Sequence, residues 1–78
     1  EEQFNISIYP NPVSDGFLNI INPSNEPLNI SIYDINGRKV HSQQIVFDSI
    51  DISDLSAGFY SLVIKSGERT TAKKIVVK

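Results

Sequence analysis

Apolar residues recur at every second position in short runs along this chain, and proline, glycine or a cluster of Asn, Asp and Ser ends each run. Leu28-Asn29-Ile30-Ser31-Ile32-Tyr33 is the cleanest case. Leu28, Ile30 and Ile32 fall on one face, and Asn29, Ser31 and Tyr33 on the other. Alternation with a period of two marks a half-buried strand. The same pattern predicts strands at Asn5–Tyr9, with Ile6 and Ile8 inward, and at Phe17–Ile21 after the turn signal Ser14-Asp15-Gly16. It predicts further strands at Lys39–Ile45, where Val40 is the clearest apolar member, at Ser49–Ile52, at Phe59–Lys65 with Tyr60, Leu62 and Ile64 inward, and at Thr70–Lys78. Asn36-Gly37 signals a tight hairpin, because both residues tolerate positive φ. Ser66-Gly67 signals another. Pro10, Pro12, Pro23 and Pro27 all fall at predicted strand ends or in loops, where no ladder N–H is required.

No segment holds a helical period over the roughly 11 residues that would establish one. The local exception is Ile52–Gly58, which fits a single helical or 3₁₀ turn stopped by Gly58. Short strands with turn signals about ten residues apart predict an all-β sandwich with Greek-key connections, with a barrel as the alternative. The predicted core is Ile8, Leu28, Ile30, Ile32, Tyr60, Leu62 and Ile64. Gly58, between Leu55-Ser56-Ala57 and an aromatic strand, is expected to hold a backbone conformation closed to other residues, or to permit close packing.

Length sets a thin margin. The chain has 78 residues and reads as one domain, 1–78. A chain of this size buries only about 60% of the surface its unfolded form exposes. It has no cysteine, which excludes disulfides, thiol chemistry and thiolate zinc sites. A net charge of −2 argues against a general nucleic-acid surface. No apolar run approaches the roughly 20 residues of a membrane helix, so direct membrane insertion is not expected. The opening Glu1-Glu2-Gln3 suggests a piece of a longer protein whose targeting information lay upstream.

Catalytic chemistry finds little support. His41 is the single histidine, and no Gly-x-Ser-x-Gly elbow accompanies it. It reads as an outward residue on the fourth strand. Asp34-Ile35-Asn36-Gly37 has the look of a calcium loop, and Asp48, Asp51 and Asp54 cluster. The glycine and late glutamate of an EF loop are missing, so Asp34 reads as an Asx cap. Lys65, Arg69, Lys73, Lys74 and Lys78 form a basic end on an acidic chain. They read either as charge guarding an edge strand or as a docking strip. Tyr9, Tyr33, Phe4, Phe17, Phe47 and Phe59 are available to stack sugars, whereas Tyr60 is in phase with the core. The sequons at Asn5 and Asn29 lie inside predicted strands and read as coincidental.

Three segments, taken in order, resemble the type A C-terminal sorting domain of proteins exported by the type IX secretion system of Bacteroidetes. The first is Ile8-Tyr9-Pro10-Asn11-Pro12-Val13 with Asp15-Gly16 and Leu18-Asn19-Ile20. The second runs from Ile30 through Asp34-Ile35-Asn36-Gly37-Arg38 to Val40. The third is Leu55-Ser56-Ala57-Gly58-Phe59-Tyr60 through Lys73-Lys74-Ile75-Val76-Val77-Lys78. The resemblance implies an immunoglobulin-like sandwich of about seven antiparallel strands, acting without catalysis or cofactor. It implies that the domain directs an N-terminal cargo to the outer-membrane export machinery, and that a sortase-like surface peptidase removes it. Localisation would be through the periplasm to the cell surface or medium.

Within that reading, Lys73, Lys74, Ile75, Val76, Val77 and Lys78 are the candidate recognition residues, since an edge strand offers backbone groups to a partner sheet. Pro10, Asn11, Pro12, Gly16, Asn36, Gly37, Leu55, Gly58 and Tyr60 are expected to be structural. The competing readings are an adhesion or carbohydrate-binding sandwich and, more remotely, a small hydrolase.

Overall fold

A computed structural model describes residues 6–22, 26–45 and 48–78. Asn5, Pro23 and the rings of Phe4 and Phe47 lie outside the described residues. The strands are β1 (Ser7–Tyr9), β2 (Phe17–Ile21), β3 (Leu28–Tyr33), β4 (Lys39–Ile45), β5 (Asp48–Asp51), β6 (Gly58–Ser66) and β7 (Arg69–Val77). They pair antiparallel in two sheets, ordered β1-β2-β5 and β4-β3-β6-β7. The chain changes sheet after β2, β4 and β5. Non-consecutive strands therefore lie side by side, β2 with β5 and β3 with β6, as in an immunoglobulin-like Greek key.

The core lies between the sheets. Leu28, Ile30, Ile32, Leu62 and Ile64 are fully buried there, as the alternation predicts. Ile8 and Tyr60 are only partly buried and pack against its margin. The three-stranded sheet and the connectors add Ile6, Val13, Leu18, Ile20, Ile50 and Ile52, and β7 adds Ile75 and Val77.

Strand β4 departs from the expected phase. Its inward positions pair with the buried residues of β3, as Leu28 with Ile45, Ile30 with Gln43 and Ile32 with His41. His41 is therefore not an outward residue. It lies on the core side of an edge strand, half-buried, with Nε2 3.0 Å from Gln43 Oε1. Val40 is exposed. The reason is a register shift beside Tyr33, which breaks simple alternation. Polar groups aimed inward from an edge oppose sheet-to-sheet pairing.

The loops follow from hydrogen bonding. Asp34 N–H donates to Arg38 O at 2.9 Å, and Gly37 N–H to Asp34 O at 3.0 Å. These bonds close a three-residue loop, Ile35-Asn36-Gly37, rather than a two-residue turn on Asn36-Gly37. Gly16 has φ +85°, and a Cβ there would meet Ser53 Cβ at 3.0 Å. Both backbone and space demand glycine.

The segment before β6 is a single turn, with Leu55 N–H donating to Ile52 O at 3.0 Å. Gly58 then opens the strand with φ +154° and open space where a Cβ would stand. Its role is conformational, not close packing. Two residues on, the Tyr60 hydroxyl donates to Ser56 O at 2.6 Å. This is the tyrosine-corner arrangement of immunoglobulin-like sandwiches, a ring against the core with its hydroxyl tied to backbone upstream.

Leu62→Ala is expected to cost about 2–5 kcal/mol, because it removes a fully buried side chain between two sheets. Tyr60→Phe keeps the ring and loses one hydrogen bond, for about 1 kcal/mol. Urea denaturation of both proteins checks the ranking. Equal costs would contradict the ranking, since one corner hydrogen bond would then weigh as much as a fully buried core side chain.

Candidate docking surface

The first and last motifs meet at the outer edge of β7. Asn11 Nδ2 donates to Lys74 O at 3.0 Å, and Val76 N–H donates to Asn11 Oδ1 at 3.0 Å. The Asn11 side chain thus pairs with the strand as a peptide group would. Val13 continues the pairing in a parallel bridge to Val77, with Val13 N–H donating to Val76 O at 2.7 Å and Lys78 N–H to Val13 O at 2.9 Å. The Pro10-Asn11-Pro12-Val13 connector closes the edge of β7 from Lys74 onward. The terminal strand therefore does not offer an open edge along Lys74–Lys78. Among the described residues, its outer edge is open only beside Thr70 and Ala72.

The basic end is not one strip. Lys73 pairs with Leu62, whose side chain is buried, so Lys73 lies half-buried on the core side of β7. Lys74 pairs with Ser61 and is exposed on the outer face. Ile75 and Val77 are core residues, and Val76 is half-buried on the outer face. Of the six terminal candidates, Lys74 and Val76 share the outer face of β7, and Lys78 is exposed just beyond the strand with its N–H on Val13 O.

Charge is divided between the sheets. All 7 Lys and Arg residues of the chain lie on the four-stranded sheet, its loops or the residue after β7. No Asp or Glu occurs in the strands of that sheet, while β5 of the other carries Asp48 and Asp51. A cross-strand row runs over the outer face of the larger sheet: Lys39 beside Tyr33, Tyr33 beside Ser61, Ser61 beside Lys74. Lys39 Nζ is 6.0 Å from the centre of the Tyr33 ring, within reach of a cation–π contact.

At the loop end of this row lies an open groove of about 400 Å³, lined by Asp34, Ile35, Phe59, Tyr60, Ser61 and Lys74. Ile35 is 80% exposed and Phe59 68%. Alternation puts neither in the core phase: Phe59 enters from the sequence only as an aromatic available for stacking, and Ile35 only as part of its family segment. The signal available in the sequence was an isoleucine inside a turn and a phenylalanine out of phase with Tyr60. Asn36 and Gly37 lie in the adjoining loop, and Leu55 packs beneath Tyr60's end of the core.

The Asp34 carboxylate stiffens one wall. Its Oδ1 accepts from the backbone N–H of Asn36 and of Arg38, both at 2.9 Å, and Oδ2 lies 3.4 Å from Arg38 Nε. This is the Asx cap the sequence predicts. Across the molecule, Asp51 Oδ1 accepts from the Ser53 hydroxyl at 2.6 Å and from its N–H at 2.9 Å.

The described residues form a small seven-stranded sandwich whose distinguishing features lie on one face and one strand edge. The chain matches the family of secretion system C-terminal sorting domains over residues 7–78, and it belongs to that family. The domain is a sorting signal of the type IX secretion system, a family of signals rather than of enzymes. Membership implies interaction with that system and export to the cell surface or beyond. A solved structure with the same fold is that of PorZ, described as an essential bacterial surface component of the type IX secretion system of Porphyromonas gingivalis. The match has a TM-score of 0.72 at 15% identity, and covers 94% of this chain and 11% of PorZ. Comparison with curated proteins finds no match.

The turns carry a pH signature. The Arg38 backbone N–H, then that of Asn36 and the Arg38 guanidinium, hold the Asp34 carboxyl below its ordinary range. The Ser53 hydroxyl and N–H do the same for Asp51. A depressed folded-state value stabilises the fold above the ordinary carboxyl range, and that stabilisation is lost as pH falls through the depressed value. Melting temperature is therefore expected to be flat from about pH 5 to 8 and to fall below about pH 4. Asn at positions 34 and 51 keeps the acceptor but not the charge. The Asp34→Asn/Asp51→Asn protein should show a shallower acid limb; an unchanged limb would assign the acid sensitivity to other groups.

Proposed function

We propose that residues 1–78 form an address unit, joined in the full protein to an N-terminal cargo. The cargo crosses the inner membrane on a signal peptide, and the folded domain is recognised from the periplasm before passage through the outer membrane. A sortase-like surface peptidase then removes the domain. The domain itself performs no catalysis. Recognition is assigned to the last strand, Lys73 to Lys78, with Lys74 and Val76 presented outward and Lys73, Ile75 and Val77 supporting them. The observation that carries this reading is the convergence of the three family segments at one end of the four-stranded sheet. Asn11 bonds Lys74, and Lys74 lines a groove with Ile35 of the second segment and Phe59 of the third.

The test fuses residues 1–78 behind a signal peptide and a fluorescent cargo in a host with the export system. The intact fusion is expected at the cell surface and in the medium. Because Ile75 and Val77 belong to the core, the deciding variant is Val76→Ser/Lys78→Glu, which leaves both in place; it is expected to trap the fusion in the periplasm while the purified domain still melts within about 4 °C of the parent. Normal export of this folded variant would place the signal elsewhere in the domain.

A further inference from the structure

The terminal strand is one wall of the groove between the Ile35 loop and the start of β6. Edge pairing is closed beside this groove by Asn11 and Val13, so what a partner meets there is side chains. Three exposed groups dominate: Ile35, Phe59 and the ammonium of Lys74. Two large apolar groups at 80% and 68% exposure line this one groove, and most of their surface takes no part in intramolecular packing. Such exposure is the mark of an interaction surface when the groups cluster. The strand surface beside the groove is basic. Lys39 and Lys74 end the cross-strand row, Arg38 beside the loop is 79% exposed, and the sheet's strands contain no acid.

The Asp34 carboxylate, held in place by Asn36 and Arg38, sits within the groove. Asp34, paired with Arg38, and Lys74 both line the groove, so a phosphate dianion is repelled more strongly by Asp34 than a single carboxylate that reaches Lys74 while its apolar neighbour rests against Ile35 and Phe59. We propose that this groove is a docking site for a protein segment of the export machinery that presents an apolar side chain next to an Asp or Glu. The inference rests on the proposed function and gives its partner a chemistry: apolar anchoring between Ile35 and Phe59, and charge complementarity at Lys74.

The test uses the same fusion. Ile35→Ser/Phe59→Ser and Lys74→Glu are each expected to lower the surface-to-periplasm ratio at least tenfold, and Lys74→Arg to retain export. The serine substitutions remove little buried area, so the purified variant should melt within about 4 °C of the parent. Phe17→Ser/Ile21→Ser removes two large apolar residues of the other sheet that are 45% and 50% exposed; this is the more demanding change for the fold, and it should still export normally. Normal export of both groove variants overturns the inference. If the folded Val76→Ser/Lys78→Glu variant is still blocked in that case, the proposed function stands. An equal defect in the Phe17/Ile21 variant overturns the assignment to this groove. An intact fusion that remains in the periplasm overturns both readings. Pelleting of the purified domain with phosphatidylglycerol vesicles, abolished by Lys74→Glu and untouched by the serine pair, would assign the face to an anionic membrane and overturn it as well.

Discussion

The pairing of the Asn11 amide and the Val13 backbone with β7 is the constraint on which the rest of the surface depends. Four hydrogen bonds join the connector to Lys74, Val76 and Lys78. Each contributes on the order of 1 kcal/mol net, against a total of about 5–15 kcal/mol for a domain. The same bonds seat Val13 in the core and hold Val77 beside it. They turn an edge strand into an interior one over its second half. With the edge closed, Lys74 and Val76 present side chains at a fixed height above the sheet. Their neighbours Phe59 and Ile35 become parts of one surface instead of parts of separate loops.

The two edges of the four-stranded sheet are managed by different means. At β4 the inward positions carry His41 and Gln43, which are hydrogen-bonded to one another and unfit for a continuous apolar seam. At β7 the first half aims Lys73 and Arg69 toward the core side, and the second half is covered by the connector. Inward charge and covered edges are both ways of preventing sheet-to-sheet association. They account for much of the basic composition at this end of the chain without any partner. What they leave unexplained is the outward row, Lys39 and Lys74 across Tyr33 and Ser61, and the exposed Ile35 and Phe59.

Most of the architecture was legible in the chain. Strict alternation in Leu28–Tyr33 and Tyr60–Ile64 placed β3, β6 and five fully buried residues correctly, because a period of two leaves no freedom of face. Alternation failed at β4, where the shift beside Tyr33 reverses the phase and carries His41 inward. It also said nothing of Val13, a core residue in a connector that is no strand and has no period. The tyrosine corner was half visible. Tyr60 reads as a core residue from its phase, but the bond to Ser56 O depends on the turn geometry at Ile52–Leu55. For the surface, the sequence showed which residue types were present but not their grouping. Lys73 and Lys74 are neighbours in the chain and lie on opposite faces of a strand, while Asn11, Ile35, Phe59 and Lys74 are remote in the chain and adjacent in space.

Amide hydrogen exchange at Val76 and Lys78 addresses the closed edge directly, since both N–H groups point away from β6 and have no sheet partner except the connector. The account predicts that both amides are protected in the native protein, comparably to the interior amides of β6. It predicts that Asn11→Ala exposes Val76 selectively while the β3 amides stay protected. Exchange of Val76 and Lys78 at the rate of an unprotected amide in the native protein would contradict it, and would leave the last strand an open edge available for strand pairing.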